Sequence, residues 1–429
     1  MISQPDSSLR RTRRRLAAAL AVAVLAAVIA GVAACTPAPP PPEPDQSMAR
    51  YNAARDACLQ TAPAAAAAPA DRITACTDVI ASDKATAADI NDALKARGRL
   101  YAQGGKYADA AKDYAEVVRG NPRDAATLKA LGDAHQHLGR CDLATADYDR
   151  AIRLNGRSSA AFEARAEAFL CVKDIAKALD DFNQALQLGP GQADLYAKRG
   201  AIYLQLGQHH AAIDDFDQAL LIKPRDVAAL VGRGNAYFAL DQYAEATADY
   251  DAALRIAPHS ADAFLGRART DFQQGDYDGA IGDFTQAIHS APRTAAAALD
   301  GRGSAYVRLS DYDRAIADFD EAIRLNPALA VAYDHRANVY SQKGYLPQAI
   351  EDYTRTIKLD PRFAAAVLAR ANAYLSHGDY DLAIQDYNRA IVLDPGNARA
   401  QQGRSQASLE KAKQASAKDI SIEPSVSPR

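Results

Sequence analysis

From Asn91 onward the chain repeats itself every 34 residues, nine times over, and no other feature restricts its fold as strongly. Copies start at Asn91, Ala125, Ser159, Ala193, Val227, Ala261, Ala296, Ala330 and Ala364, with a single inserted residue between the copies at Ala261 and Ala296. A period this short cannot enclose a core of its own. Each copy must bury its apolar face against its neighbours, so the 429 residues read as one stacked array and not as two or three globular domains.

Numbering each copy 1 to 34, position 8 is always Gly or Ala (Gly98 to Ala371), position 20 always Ala (Ala110 to Ala383) and position 24 always Tyr or Phe (Tyr114 to Tyr387). Small residues at fixed places mark where two helices touch, and a large ring beside them is what interdigitated packing requires. Position 32 is Pro in eight copies and Gly156 in the other. Both residues stop a helix, the first by lacking an N–H and the second by its backbone freedom. Between these marks apolar residues fall at helical spacing over positions 2 to 14 and 18 to 30, split by turns such as Gly378-Asp379-Tyr380. Each copy is therefore an antiparallel helical hairpin.

This pattern resembles the tetratricopeptide repeat, whose signature is a bulky residue at 4, Gly or Ala at 8, an aromatic at 11, Ala at 20, an aromatic at 24, Ala at 27 and Pro at 32. It extends over residues 91–397, about 70% of the chain; His135 and Asp271 depart from it at position 11, Val117 and Thr356 at position 27. The resemblance implies an all-α, right-handed superhelical solenoid whose first helices line a concave peptide-binding surface through positions 2, 5, 9, 12 and 13. Candidate groove residues at position 9 are Asn235, Arg269, Asn338 and Asn372. Asn can both donate to and accept from an extended peptide backbone, although it also belongs to a common Arg-Gly/Ala-Asn-Ala-Tyr string of the repeat. Arg269 and Arg308 are isolated cations, and no Lys/Arg constellation resembles a carboxylate clamp.

Position 23 is Asp in every copy, and position 7 is Arg in all but one, where Leu131 stands. Matched opposite charges at fixed places suggest an ion-pair ladder between helices; an acidic ligand-binding stripe is the alternative. Each pair would contribute on the order of 0 to 1 kcal/mol.

The two ends read differently. Residues 1–34 carry Arg10, Arg11, Arg13, Arg14 and Arg15 ahead of an uncharged apolar run, as a signal peptide does. The run ends in Val32-Ala33-Ala34-Cys35, which resembles the bacterial lipobox, and this implies cleavage before a lipidated Cys35. Residues 35–47 are then a Pro-rich tether. The alternative is an uncleaved single-pass anchor in the inner membrane. Either way the arginines stay inside and the repeats face the periplasm; Thr36 after the Cys favours the outer membrane. Without residues 1–34, which hold five Arg and one Asp, the formal charge moves from −3 to −7, against nucleic acid as a partner.

Four further cysteines suit an oxidising compartment. Residues 48–90 read as a degenerate hairpin in which Cys58 and Cys76 form a disulfide or pack as independent small core residues; Cys141 and Cys171, near hairpin tips of successive copies, form a second candidate pair. Residues 398–416 read as a polar capping helix and 417–429 as a disordered tail. No nucleophile elbow, phosphate loop, zinc motif or Cys-x-x-Cys is present, so no catalytic residue, metal ligand, cofactor or small-molecule substrate is expected. The reading that results is a non-enzymatic scaffold tethered in the bacterial cell envelope and binding proteins or peptides. The alternative is an accessory subunit of an envelope enzyme, in glycan synthesis or export.

Overall fold

The computed structural model describes residues 46–59 and 68–420, and among these it contains twenty-one α-helices and no strand. A first hairpin, α1 (Gln46–Leu59) and α2 (Pro69–Ala81), precedes nine more. These are α3 (Ala87–Gln103) with α4 (Tyr107–Gly120), α5 (Ala125–His137) with α6 (Cys141–Leu154), and α7 (Ser159–Cys171) with α8 (Ile175–Leu188). Next come α9 (Ala193–Gln205) with α10 (His209–Ile222), α11 (Val227–Ala239) with α12 (Tyr243–Ile256), and α13 (Ala261–Gln274) with α14 (Tyr277–Ser290). The last are α15 (Ala296–Arg308) with α16 (Tyr312–Leu325), α17 (Ala330–Gln342) with α18 (Leu346–Leu359), and α19 (Ala364–His377) with α20 (Tyr380–Leu393), followed by α21 (Ala398–Ile420). The described residues fall into two compact units, divided between Asp147 and Tyr148.

Local chemistry sets the helix ends. Asp124, Ser158, Asp226 and Ser260 cap first helices through their side chains, and Asp174, Asp276 and Asp311 cap second helices in the same way. Helix α3 starts four residues ahead of the repeat frame because Thr86 and Asp89 form a reciprocal capping box. The inserted residue of the sixth copy is absorbed by a 3-10 turn, Pro292–Thr294. At position 15 of every copy the chain turns between helices with φ positive: six glycines take it, and so do Lys173 (63°), Asp241 (58°) and Ser310 (63°). The three departures from Gly hid this rule in the sequence.

Packing follows the small-and-large pattern. Ala at position 20 is fully buried in all nine copies, and no ring at position 24 is more than 4% exposed. The ring is clasped from two sides. A Cβ on Gly98, Gly234 or Gly303 at position 8 would meet the ring of the same copy at 2.7, 2.8 and 2.7 Å. A Cβ on Gly232, Gly266, Gly301 or Gly403, at position 6 of the following copy, would overlap the ring of the copy before it. Position 6 is therefore a second small-residue site, broken only by Lys198 and His335. At those two junctions the adjoining helices, α8 with α9 and α16 with α17, pack less extensively than at the other repeat junctions of the second unit.

In the first unit Cys58 and Cys76 are both fully buried, with Cα atoms 4.7 Å apart and their sulfurs joined. Cys141 opens α6 in the first unit and Cys171 closes α7 in the second. Helix α21 runs to Ile420, four residues beyond the expected cap. Residues 1–34, Cys35, the tether up to residue 45 and residues 421–429 lie outside the described residues. No described helix is long and apolar enough to cross a membrane.

Candidate peptide groove

In the second unit, from α9 onward, each first helix touches the first helix of the next repeat, while second helices do not meet one another to the same degree. The row of first helices is thus the tighter, inner side, and position 9 faces along it. Three of the four candidate residues there have an internal duty. The hydroxyls of Tyr250, Tyr353 and Tyr387 donate to Oδ1 of Asn235, Asn338 and Asn372 at 2.8, 2.7 and 2.7 Å. Where position 24 is Phe the partner is not needed, and position 9 is Glu167, Ala201, Arg269 or Ser304. Asn at position 9 occurs only in copies with Tyr at position 24, three of the five, the other two carrying Arg99 and Asp133. Asn338 also gives its Nδ2 to Asp334 at 3.0 Å, while Nδ2 of Asn235 and of Asn372 has no partner among the described residues.

The acidic row is not a ligand stripe. In all eight copies with Arg at position 7, its Nε and one terminal nitrogen hold both oxygens of the Asp at position 23, as Arg199 holds Asp215 at 2.8 and 2.6 Å. The remaining terminal nitrogen reaches position 25 of the preceding repeat, for example Arg233 to Asp217 and Arg267 to Asp251, both 2.5 Å. The fork geometry of Arg thus ties one hairpin internally and to its neighbour. In the second copy, where Leu131 replaces Arg, His135 Nδ1 meets Asp147 at 2.8 Å instead.

An apolar pocket of ≈ 580 Å³ opens on the inner row at the loosened junction of α7–α8 with α9, with Phe182, Leu170, Ile175, Ala201 and Ile202 in its lining. Lys198 stands at its edge, bonded to Glu163 at 2.8 Å and to Glu167. Further along, Arg269 lies 4.8 Å over the ring of Phe238. At the other loosened junction, His335 Nδ1 approaches Asp300 at 2.9 Å and Ser304 Oγ at 3.4 Å. Acid and hydroxyl share one ring nitrogen, whereas a nucleophilic relay needs them on opposite nitrogens. Burial pulls the His335 imidazole down, but the hydrogen bond and charge of Asp300 outweigh it and leave its pKa raised. Among the described residues no cluster of His, Cys, Asp or Glu could hold a metal ion.

Sequence models of the tetratricopeptide repeat match residues 95–144, 129–193, 265–330 and 336–398, more than half of the chain, and two related models match 167–231 and 227–260. No curated protein matches the chain. Among solved structures, a tetratricopeptide repeat protein from Parabacteroides merdae is 22% identical with a TM-score of 0.48, over 58% of this chain and 98% of that one. Pseudomonas aeruginosa pilF is 19% identical with a TM-score of 0.46, over 50% and 97%. YrrB, a tetratricopeptide repeat protein with an unusual peptide-binding site, is 20% identical with a TM-score of 0.37, over 44% and 97%. On the strength of the repeat itself, matched along most of the array, the chain belongs to the tetratricopeptide repeat family.

Proposed function

We propose that this protein is a non-enzymatic scaffold of the bacterial cell envelope, tethered through a lipidated Cys35, that binds protein or peptide partners along its inner row of first helices. The observation that carries the binding site is the apolar pocket over Phe182, on the row where the family binds its ligands. It exists because Lys198 takes the small-residue position and keeps α9 from closing on the ring. An apolar side chain of an extended peptide fills such a space, while the Lys198 pair with Glu163 and Glu167 offers polar edges to the peptide backbone. The envelope location is read from Arg10 to Cys35 alone, with the outer membrane favoured over the inner.

Filling the pocket tests the binding site. Ala201→Trp in the full chain should abolish capture of the partners that the native protein recovers from membranes, with helical content unchanged. Undiminished capture would sink the pocket as the site. A single stoichiometric enzyme among the captured proteins would favour the accessory-subunit reading instead. For the tether, mass spectrometry of the native N-terminus should find an acylated Cys35; a chain beginning at Met1 would remove the lipoprotein claim.

A further inference from the structure

The inner row also carries two cations that the ladder does not use. In the second unit every other arginine on the first helices of the repeats is held by the ladder, but Arg269 and Arg308 are exposed and have no carboxylate partner among the described residues. Both are instead laid over aromatic rings of the preceding repeat. Arg269 sits 4.8 Å from the centroid of Phe238, and Arg308 sits 4.9 Å from Tyr277 and 5.9 Å from Phe272. Each ring is itself braced by another, Phe238 against Tyr243 at 5.8 Å and Phe272 against Tyr277 at 5.4 Å. A guanidinium held over a ring has lost part of its freedom already, which lowers the ordering cost when an anion arrives.

The two arginines occupy positions 9 and 13 of neighbouring first helices, one turn apart in height. Of the acids on these first helices, Asp300 faces His335, Glu163 and Glu167 hold Lys198, Asp334 accepts from Asn338, and burial with the charges of Asp283 and Asp276 raises the pKa of Asp271. Asp262 lies in the first turn of α13, about 10 Å along the helix from Arg269. Arg269 and Arg308 are therefore two exposed cations without an ion pair among the described residues, in a molecule whose net charge is negative. Buried Val231 and the half-buried Phe238 and Phe272 supply an apolar floor beside it.

Building on the groove reading above, we infer that the stretch from Phe238 to Arg308 takes an internal acidic segment of a partner protein, in which Asp or Glu alternates with apolar residues. The carboxylates meet the guanidinium edges and the apolar side chains lie on the rings.

Fluorescence anisotropy with three labelled octapeptides on the full-length chain tests this: (Glu-Leu-Asp-Phe)2, its Gln/Asn counterpart and its Lys counterpart. The acidic peptide should bind about tenfold or more tighter than the amide form, as charge-assisted hydrogen bonds do, and the gap should narrow at high salt. Arg269→Ala with Arg308→Ala should erase the preference, while Arg255→Ala, which removes an equal charge from a second helix, should keep it. Equal affinity for the acidic and amide peptides, or a preference that survives the double substitution, would overturn the inference and leave groove binding standing. Failure of all three peptides to bind would overturn it too, and the Ala201→Trp capture experiment then decides the groove reading separately.

Discussion

The hydroxyl of Tyr250 donates to Oδ1 of Asn235 across 2.8 Å, joining the second helix of a repeat to its own first helix. The tyrosine is fully buried, so its hydroxyl depends on that amide. Burial also pushes its pKa up. Asn235→Ala should therefore cost about 1 to 3 kcal/mol, the penalty of an orphaned buried polar group, and adding Tyr250→Phe should recover most of it. Denaturant midpoints of the two single variants and the double variant check this. Additive losses would mean that the bond contributes nothing. Any binding test of Asn235, Asn338 and Asn372 belongs in the matching Tyr→Phe background, where stability no longer confounds affinity.

Ser310 holds the left-handed turn conformation at φ 63°, where six of its eight counterparts are Gly. A Cβ there costs roughly 1 to 2 kcal/mol, partly offset by the greater freedom of Gly in the unfolded chain. Ser310→Gly should stabilise α15 and α16 by roughly 0.5 to 1 kcal/mol, and Gly378→Ala should destabilise α19 and α20 by about as much or more. Amide exchange in those helices reads both. Slower exchange after Gly378→Ala would contradict the argument.

Asp271 stands where the repeat usually has an aromatic ring, and its pKa is pushed up to about 6 by burial and by the charges of Asp283 and Asp276, against the pull of Arg267. The folded state thus keeps a proton that the unfolded chain gives up near pH 4. The resulting stability is present below that value and is lost as pH rises through about 6. His335, also raised, adds in the same direction: its contribution is present below the ordinary imidazole range and disappears as pH passes its folded value. Asp271→Asn should flatten the stability profile between pH 4 and 7 and stabilise at pH 8 by on the order of 1 to 2 kcal/mol. Denaturant midpoints across that range decide it, and an unchanged slope would show that the carboxylate titrates normally.

Ala280 and Ala315 are fully buried at position 20. Leu at either should overpack the hairpin and cost roughly 1 to 3 kcal/mol. Because each hairpin leans only on its neighbours, the loss should appear in the adjacent repeats and fade beyond them. Uniform exchange along the array would show a more cooperative molecule than the stacking implies.

Cys58 and Cys76 close a loop of 18 residues within the first hairpin. In the chain-entropy account such a loop is worth roughly 3 kcal/mol to the fold. Non-reducing peptide mapping of exported protein should recover the two cysteines in one linked species. Recovery of both as free thiols would reject the bond.

The hairpin and its ladder were legible in the sequence because they are made inside one copy or at a fixed offset, so eight or nine copies report the same constraint. Ala at position 20, the ring at position 24, the helix stop at position 32 and the pairing of Arg at position 7 with Asp at position 23 are of this kind. Other contacts depend on a local exception and on which neighbour it meets. Lys198 and His335 matter because the small position 6 of one repeat packs on the ring of the repeat before it, a relation that only stacking creates. Asn235, read in sequence as a ligand donor, is half committed to Tyr250, since burial of a hydroxyl demands an acceptor. Arg269, an isolated cation in the sequence, rests on Phe238 of the preceding first helix. The period determined that the chain stacks. The tertiary structure decided where the stack stays open and which charges it leaves unanswered, because those depend on side chains that meet only when one repeat closes on the next.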